Sequence, residues 1–336
     1  MKNLFNNIKK LIKEYYKVII VYVLILAFFL VEFPYYISAP GGLINTDDKI
    51  ETTESFKMSG SLNMAYVSEI HATIPTLVIS LLNKDWDVEK EEDVKNDNET
   101  IEEKNYRNKM LLEEANDTAL LVAYKHSDID YKVTNNKVYI TYVDELADTN
   151  LKIGDQILKV DDTEITDKNS LFEYIASKQI GDKITLEVKD INGDDKKREA
   201  TLINVLDEPK VGAVVTETFD VKSDEKVSFN FKDRESGSSG GLMLTLTIYS
   251  HLNEIDLTGG KTIVGTGTID INGNVGEISG IKYKLIGAVN KGADVFLVPV
   301  GENYEDAKKL KEERNYDIEL VPVATFEEAL KYLENQ

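Results

Sequence analysis

The sequence of 336 residues contains no cysteine. Disulfide bonds, thiolate metal sites and a cysteine nucleophile are therefore excluded. Histidine is scarce as well, because His71, His126 and His251 are the three in the chain. None of them lies in a metal-binding spacing such as H-E-x-x-H, and we interpret all three as ordinary core or surface residues. The sequence implies no metal and no cofactor.

Positive charge is in short supply. The chain has 39 lysine and arginine residues against 60 aspartate and glutamate residues, which gives a formal net charge of -21. So acidic a chain repels a phosphate backbone, and we expect no nucleic-acid partner. The hydrophobic fraction of 42% is sufficient for packed cores, and the length predicts about two domains.

A run that is both uncharged and apolar throughout lies near the N-terminus, over residues 18–31, and lysines precede it. We predict a basic cytoplasmic tail over 1–16 and a transmembrane helix over 17–37, which would place the rest of the chain outside the cytoplasm at a cell membrane. A cleaved signal peptide is the alternative. The stretch Ile37-Ser38-Ala39 is followed by Pro40, which disfavours that cleavage.

Residues 38–126 contain strand-like and helical patterns, which we interpret as the first part of an extracytoplasmic domain. A compact unit over 127–206 follows. It contains an alternating strand over Lys137–Val143, a short helix over Ser170–Ser177 and a hairpin signal at Asn192-Gly193.

Within this unit, the stretch from Leu151 to Asp161 reads L-x-x-G-D-x-I-x-x-V-D and resembles bacterial PDZ domains. The resemblance implies that a peptide adds a strand beside Val138, Tyr139 and Ile140 and lies against the short helix. A small domain that serves for packing alone is the alternative.

The chemistry is predicted in residues 207–336. A loop rich in small residues, Ser236–Gly241, stands between a strand and an apolar helix. Such a loop lets a substrate backbone come close and presents free N–H groups to a developing oxyanion. A serine in the loop needs a base, and no histidine is well placed. A lysine is therefore the candidate base.

Two further patterns follow along the chain. A strand ends at Thr266-Gly267, and a helix entry reads S-G-I-K-Y-K from Ser279 to Lys284. Together with the serine loop, this order resembles the proteolytic domain of Lon-type proteases, which carries G-P-S-A-G, T-G and G-G-L-K-E-K. The resemblance implies that Ser239 is the nucleophile, Lys284 the base, and Thr266 the residue that orients the lysine.

The same resemblance implies that the backbone around Gly237, Ser238 and Gly240 holds the oxyanion. This sequence departs from the family pattern where Ser238 replaces a proline, Gly240 an alanine and Ser279 a glycine. Because the loop contains several serines, Ser238 stays open as an alternative nucleophile.

The order of anchor, PDZ-like unit and Lon-like domain resembles the membrane-bound Lon-like peptidases of Gram-positive bacteria. It implies an α+β fold with a single transmembrane helix, in which the PDZ-like unit is inserted before or within the proteolytic domain. The expected function is ATP-independent cleavage of extracytoplasmic peptides or flexible protein segments. No nucleotide partner is expected, because Gly259-Gly260-Lys261-Thr262 lacks the earlier glycine of a phosphate loop, which would fall at Ile255.

Two non-catalytic alternatives remain. One is a membrane-anchored adaptor that captures peptides through the PDZ-like unit and has a degenerate protease domain. The other is an extracytoplasmic chaperone or assembly factor with a degenerate protease fold.

Overall fold

The computed structural model describes residues 2–53, 56–96 and 99–335. Met1 and Gln336, the outer limits of the first and last predicted segments, lie outside them. The described helices are α1 (Lys2–Leu30), α2 (Ile74–Leu82), α3 (Ile101–His126), α4 (Lys168–Ala176), α5 (Gly241–Asn253), α6 (Ile281–Asn290), α7 (Glu302–Arg314) and α8 (Phe326–Glu334), with a 3₁₀ turn at Thr46–Lys49.

The strands lie between these helices, singly or in consecutive runs. Their bounds are β1 (Phe33–Asn45), β2 (Ile50–Thr52), β3 (Ser61–Ala72), β4 (Asp87–Lys90), β5 (Lys132–Val143), β6 (Asp148–Thr149), β7 (Gln156–Val160), β8 (Thr163–Glu164), β9 (Lys183–Lys189), β10 (Asp195–Thr201), β11 (Ile203–Val205), β12 (Glu208–Lys210), β13 (Ala213–Lys222), β14 (Val227–Phe229), β15 (Thr262–Gly265), β16 (Thr268–Ile269), β17 (Val275–Gly276), β18 (Val295–Pro299) and β19 (Glu319–Val323).

The chain divides into two compact units, of which the first comprises Met1–Pro40 and Val67–Val94. In this unit, β1 pairs antiparallel with β4 from Tyr35↔Lys90 to Ser38↔Asp87. Ser38 adds a side-chain hydrogen bond of 2.6 Å to Glu89 across the same pair. The pairing therefore ties the segment after α1 to the strand that follows α2.

The structure corrects the predicted transmembrane segment at its C-terminal end. Helix α1 ends at Leu30, and residues 33–37 lie in β1. Within residues 2–53, 56–96 and 99–335, no helix combines the length and the apolar character needed to cross a membrane.

The second unit comprises Gly41–Tyr66 and Lys95–Gln336 and contains a largely parallel sheet in the order β19-β18-β15-β3-β1. Strand β15 pairs parallel with both β3 and β18, and β18 pairs parallel with β19. Helices α6 and α7 connect successive parallel strands, as such crossovers require. The chain is thus a mixed α/β protein, whereas the sequence analysis expected α+β.

Helix α5 lies in the centre of this core, because its residues from Gly241 to Ile248 are all buried. Its two buried threonines are compatible with that position, since Thr245 and Thr247 each donate to the carbonyl four residues earlier at 2.8 Å. Buried polar groups are stable when they are hydrogen-bonded in this way. The helix start that carries the serine loop is therefore held by the core itself.

A second sheet in the same unit has the order β13-β5-β7-β9-β10-β6, with β8 paired to β7. Its apolar face forms a separate core with α4, around Leu171, Ile175 and Leu186. Because β13 (Ala213–Lys222) belongs to this sheet, the predicted boundary between residues 206 and 207 does not separate the two domains. The antiparallel pairing of β13 with β5 keeps these residues in the PDZ-like part.

Strands β1 and β3 precede this second sheet in the sequence, yet β3 pairs with β15, which follows it. The second sheet is thus inserted between two segments of one α/β domain. Sequence periodicity gave no sign of this arrangement, because the pairing partners are far apart in the chain.

Phe326 provides a test of the α/β core. It is fully buried, and its ring centroid lies 4.8 Å from that of His126 and 5.6 Å from that of Tyr249. We expect Phe326→Ala to lower the free energy of unfolding by about 3–5 kcal/mol in urea titrations followed by circular dichroism, because it leaves a cavity. Leu206→Ala is the control, since this leucine is 94% exposed and should change stability by less than about 0.5 kcal/mol. Equal stability of both variants would contradict the described packing.

Candidate active site

The serine loop, residues 236–240, lies directly before α5, and Gly240 is the N-cap of that helix. Ser239 is half-buried, and its carbonyl oxygen accepts two hydrogen bonds, from Gly267 N–H at 2.8 Å and from Thr266 Oγ1 at 3.1 Å. These bonds fix the loop against the end of β15.

Two backbone donors of the loop are free. In the part of the chain that the structure describes, the N–H groups of Ser239 and Gly240 donate to no other group. The first N–H groups of a helix have no partner inside it, and they favour negative charge nearby. The start of α5 can therefore offer these donors to an oxyanion.

Lys284 lies in the first turn of α6 and is 4% exposed. The chain enters this helix through Gly280, whose φ of +74° favours glycine, and the Gly280 carbonyl accepts the Lys284 N–H at 3.2 Å. Burial lowers the pKa of the Lys284 amine from 10.5 to about 7. A substantial fraction of this amine is thus neutral at neutral pH.

Thr266 connects the lysine to the serine loop. Lys284 Nζ donates to Thr266 Oγ1 at 3.1 Å, and the same hydroxyl donates to the Ser239 carbonyl. Thr266 is fully buried and its N–H donates to the Leu297 carbonyl at 3.1 Å, so the neighbouring strand β18 holds it in place. A hydroxyl can donate one proton and can accept through two lone pairs. Thr266 Oγ1 donates its proton to the Ser239 carbonyl and accepts from Lys284 Nζ, which is consistent with this capacity.

The structure thus brings Ser239, Thr266 and Lys284 together, but within the described residues no hydrogen bond joins Ser239 Oγ to Lys284 Nζ. In structures without substrate, catalytic hydrogen bonds are often long. Ser238 is also half-buried, and its carbonyl accepts the Gly241 N–H at 3.2 Å. The link to Thr266 therefore starts from Ser239 and not from Ser238.

Gly240 explains one departure from the family pattern. A Cβ atom at this position would lie 2.8 Å from Met64 Sδ on β3, which is too close for normal packing. A larger residue would displace that side chain. The glycine therefore lets the helix start lie directly against β3, and Met64 is a neighbour of the loop that sequence analysis did not identify.

Two further contacts hold the serine loop and the residue that precedes it, and neither was predicted from the sequence. The buried amine of Lys49 bonds both carboxylate oxygens of Glu235, at 2.8 and 2.9 Å. Burial raises the pKa of the Glu235 carboxyl, but the hydrogen bonds from Lys49 and from Lys232 N–H outweigh it, so the net shift is downward. Gly237 N–H donates to the Asn108 carbonyl on α3 at 2.9 Å.

Lys282 differs from Lys284 although it is two residues away. It is half-buried, and its amine lies 5.1 Å from the ring centroid of Tyr283. Residues two positions apart do not share a face of a helix, which accounts for the difference.

The predicted peptide-binding strand needs a correction. On one side of β5, Val138, Tyr139 and Ile140 pair with Glu217, Thr216 and Val215 of β13. On the other side, Val138 and Tyr139 pair with β7. Both edges of this strand are occupied, so a peptide cannot add there.

A pocket of about 220 Å³ lies beside β13 instead. It is lined mainly by apolar side chains of α4, of β13, of the segment before β13 and of the PDZ core, with Glu208 and Lys210 as its charged lining residues. The lining includes Leu171, Phe172, Ile175, Val211, Ala213 and Val215. Strand β13 is the end strand of its sheet, and among the described residues no other strand pairs with its outer edge.

Comparison with known proteins adds family information to this geometry. Residues 125–205 match the family model of the PDZ domain, and residues 232–335 match that of the Lon protease (S16) C-terminal proteolytic domain. The chain thus combines a PDZ domain with a Lon-type proteolytic domain. The first match covers the inserted sheet up to β11, and the second covers the serine loop, Thr266 and Lys284.

Curated relatives of the Lon-type domain include the Lon protease of Rickettsia bellii, which is 32% identical over 98 residues, or 29% of this chain and 12% of that protein. The Lon protease of Campylobacter jejuni is 26% identical over 238 residues, or 67% of this chain and 28% of that protein. The chain therefore spans between 12% and 28% of the length of these relatives.

Solved structures of PDZ domains match a quarter of the chain. The PDZ domain of an SdrC-like protein from Listeria monocytogenes is 25% identical and covers 25% of this chain and 92% of its own, with a TM-score of 0.23. The second domain of a Listeria protein is 27% identical and covers 25% of this chain and 88% of its own, with a TM-score of 0.22.

The buried lysine predicts how stability depends on pH. The pKa of Lys284 is about 7 in the folded protein and near 10.5 when exposed, so the unfolded chain binds more protons between these values. The free energy of unfolding should therefore rise from pH 7 to pH 10.5. Lys284→Met should remove this rise and stabilise the fold at pH 7 by an amount on the order of a few kcal/mol, because one pKa unit corresponds to about 1.4 kcal/mol.

Urea titrations from pH 6 to pH 10 measure this effect. Lys282→Met on the same helix is the control and should keep the pH dependence of the unsubstituted chain. If Lys284→Met and the unsubstituted chain have the same pH dependence, the lysine does not titrate as its burial requires.

Proposed function

We propose that this chain is an ATP-independent serine endopeptidase in which Ser239 is the nucleophile and Lys284 the general base. One observation carries the proposal: a buried lysine with a pKa of about 7 is hydrogen-bonded to Thr266, which is hydrogen-bonded to the nucleophile loop. A general base is most effective when its pKa lies near the working pH. The match to the Lon-type proteolytic domain supports the same assignment.

In the proposed reaction, the neutral amine of Lys284 takes the proton from Ser239 Oγ as this oxygen attacks a peptide carbonyl. The resulting ammonium gives the proton to the leaving amine when the peptide bond breaks, which leaves an acyl ester on Ser239. A water molecule then attacks the ester, and Lys284 takes its proton and returns it to Ser239. The free N–H groups of Ser239 and Gly240 would stabilise the oxyanion in both steps.

Independence from ATP is part of the proposal. Gly259, Gly260 and Lys261 form a turn before β15, which begins at Thr262, and Lys261 N–H donates to the Thr258 carbonyl at 3.0 Å. This use as a turn supports a structural role for the two glycines. Substrates would then be peptides or flexible protein segments, in the extracytoplasmic compartment that the sequence predicts.

The PDZ domain would bind peptides at the outer edge of β13. An extended segment that adds to this edge pairs its backbone with the strand and places side chains in the pocket between β13 and α4. The apolar lining favours apolar side chains.

A non-catalytic peptide-binding adaptor is the second candidate. Two observations favour it: the apolar pocket beside β13, and the lack of a hydrogen bond between Ser239 Oγ and Lys284 Nζ in the described residues. The adaptor would bind peptides without cleaving them, which the next experiment detects.

The intact chain and its Ser239→Ala and Ser238→Ala variants are incubated with a mixed peptide library without ATP, and products are read by mass spectrometry. We expect cleavage by the intact chain and by Ser238→Ala, and loss of at least about a thousandfold in rate for Ser239→Ala. The rate should rise with pH through about 7, because the neutral form of Lys284 is required. Cleavage by Ser239→Ala but not by Ser238→Ala would move the nucleophile to Ser238. Absence of cleavage products from all three chains would favour the adaptor.

We also propose that α1 associates with a membrane and that the catalytic domain is extracytoplasmic. Apolar side chains are exposed along α1 from Leu11 to Leu30, and exposed lysines precede most of them, including Lys10, Lys13 and Lys17. Exposed apolar surface of this extent is typical of lipid or protein interaction sites, and lysines favour anionic headgroups.

The intact chain should sediment with vesicles of phosphatidylcholine and phosphatidylglycerol, and Leu24→Glu/Phe28→Glu on α1 should lower the bound fraction at least about tenfold. Leu206→Glu is the control, because this leucine is even more exposed but lies in a turn of the PDZ domain. Unchanged sedimentation of the α1 variant would contradict membrane association. Protease accessibility of the catalytic domain in intact cells tests the orientation.

A further inference from the structure

The outer edge of β13 has two halves with different surroundings. Backbone groups of a strand point alternately to its two edges. The Gly212 carbonyl accepts the Asp144 N–H at 2.8 Å on the β5 side, whereas Phe219 N–H points outward to Asp117. By this alternation, Ala213, Val215, Glu217 and Phe219 present their backbone groups to the outer edge.

Helix α3 covers the half that contains Glu217 and Phe219. Asp117 Oδ2 accepts the Phe219 N–H at 3.0 Å. Burial raises the pKa of the Glu114 carboxyl, one helical turn earlier, and the proximity of Thr216 and of the Glu217 N–H opposes that rise. Asp117 therefore occupies one backbone donor that a bound strand would otherwise use, and Glu114 lies near a second.

The half that contains Ala213 and Val215 is different. Both residues line the pocket beside α4, together with Leu171, Ile175 and Val211. Apolar residues of the PDZ core, among them Leu151, and the segment Glu208–Lys210 of β12 complete the lining, which includes no residue of α3. Within the described residues, this half of the edge alone combines outward-facing backbone groups with a pocket for apolar side chains.

From these two observations we infer that α3 limits the peptide-binding edge of the PDZ domain to Ala213–Val215, through Glu114 and Asp117. The PDZ domain then selects a short apolar segment, in a window of about four residues, because two outward-facing residues of a strand pair with about four residues of a partner. Glu114 and Asp117 are specificity-determining residues in this scheme. The inference rests on the proposed peptide binding at β13.

The length of the selected segment tests the inference. The intact chain carrying Ser239→Ala, which prevents cleavage, is used to select from a random decapeptide library with free C-termini. The same selection is made with Glu114→Ala/Asp117→Ala added, and with Glu102→Ala added as the control. Glu102 is an exposed carboxylate in the first turn of α3, away from Asp117.

We expect sequence preference at about four consecutive positions for the parent and the control, and at six or more for the Glu114→Ala/Asp117→Ala chain. Extending a selected tetrapeptide to eight residues should raise affinity less than about twofold for the parent. For the alanine variant it should rise about tenfold, because new backbone hydrogen bonds form at Glu217 and Phe219. Fluorescence polarisation of labelled peptides measures both values.

Two results would overturn the inference and leave peptide binding intact. One is sequence preference at six or more positions in the selection with the Ser239→Ala parent. This result contradicts the inference even if the alanine variant does not fold. The other is a folded alanine variant whose window is still about four positions. If no chain selects any peptide, the proposed peptide binding itself fails, and the inference fails with it.

Discussion

Lys284 reaches Thr266 inside the protein, where water cannot solvate an ammonium group. The cost of burying the charge shifts the amine toward its neutral form, and the hydroxyl of Thr266 gives that form a defined position. Parts of the fold that are distant in the sequence keep Lys284, Thr266 and the serine loop in this arrangement. Gly280 allows the sharp entry into α6, strand β18 holds the Thr266 backbone, and the core around α5 fixes the loop that Thr266 contacts.

The serine loop is also held by contacts on the side away from α5. Lys49 forms an ion pair with Glu235, which directly precedes the loop, and the Asn108 carbonyl on α3 accepts the Gly237 N–H. Helix α3 has a second contact at β13 of the PDZ domain through Asp117. One helix therefore has direct hydrogen bonds both to the loop of the proteolytic domain and to the end strand of the PDZ sheet.

The sequence was sufficient to identify Ser239, Thr266 and Lys284 as neighbours, because each lies in a short motif that resembles a known family. It was insufficient wherever the contact depends on distant parts of the chain. Lys49, Met64 and Asn108 carry no local pattern, and they meet the loop through sheet pairing and helix packing. The peptide-binding strand was predicted wrongly for the same reason, since alternation in β5 cannot reveal that β13 occupies its edge. The end of α1 was misplaced because apolar residues in 31–37 suit a strand as well as a helix.

The PDZ insertion begins and ends at the same place. Lys132, where β5 starts, is paired with Lys222, where β13 ends. The proteolytic domain is built from segments on both sides of the insertion, so it must close a long chain loop when it folds. If the PDZ domain folds first, it joins the two ends itself and reduces that loop to the span of a tight hairpin, which removes most of its closure entropy. The same geometry makes the insertion exchangeable in evolution, because a short turn between the two lysines would leave the host domain with nearly unchanged end points.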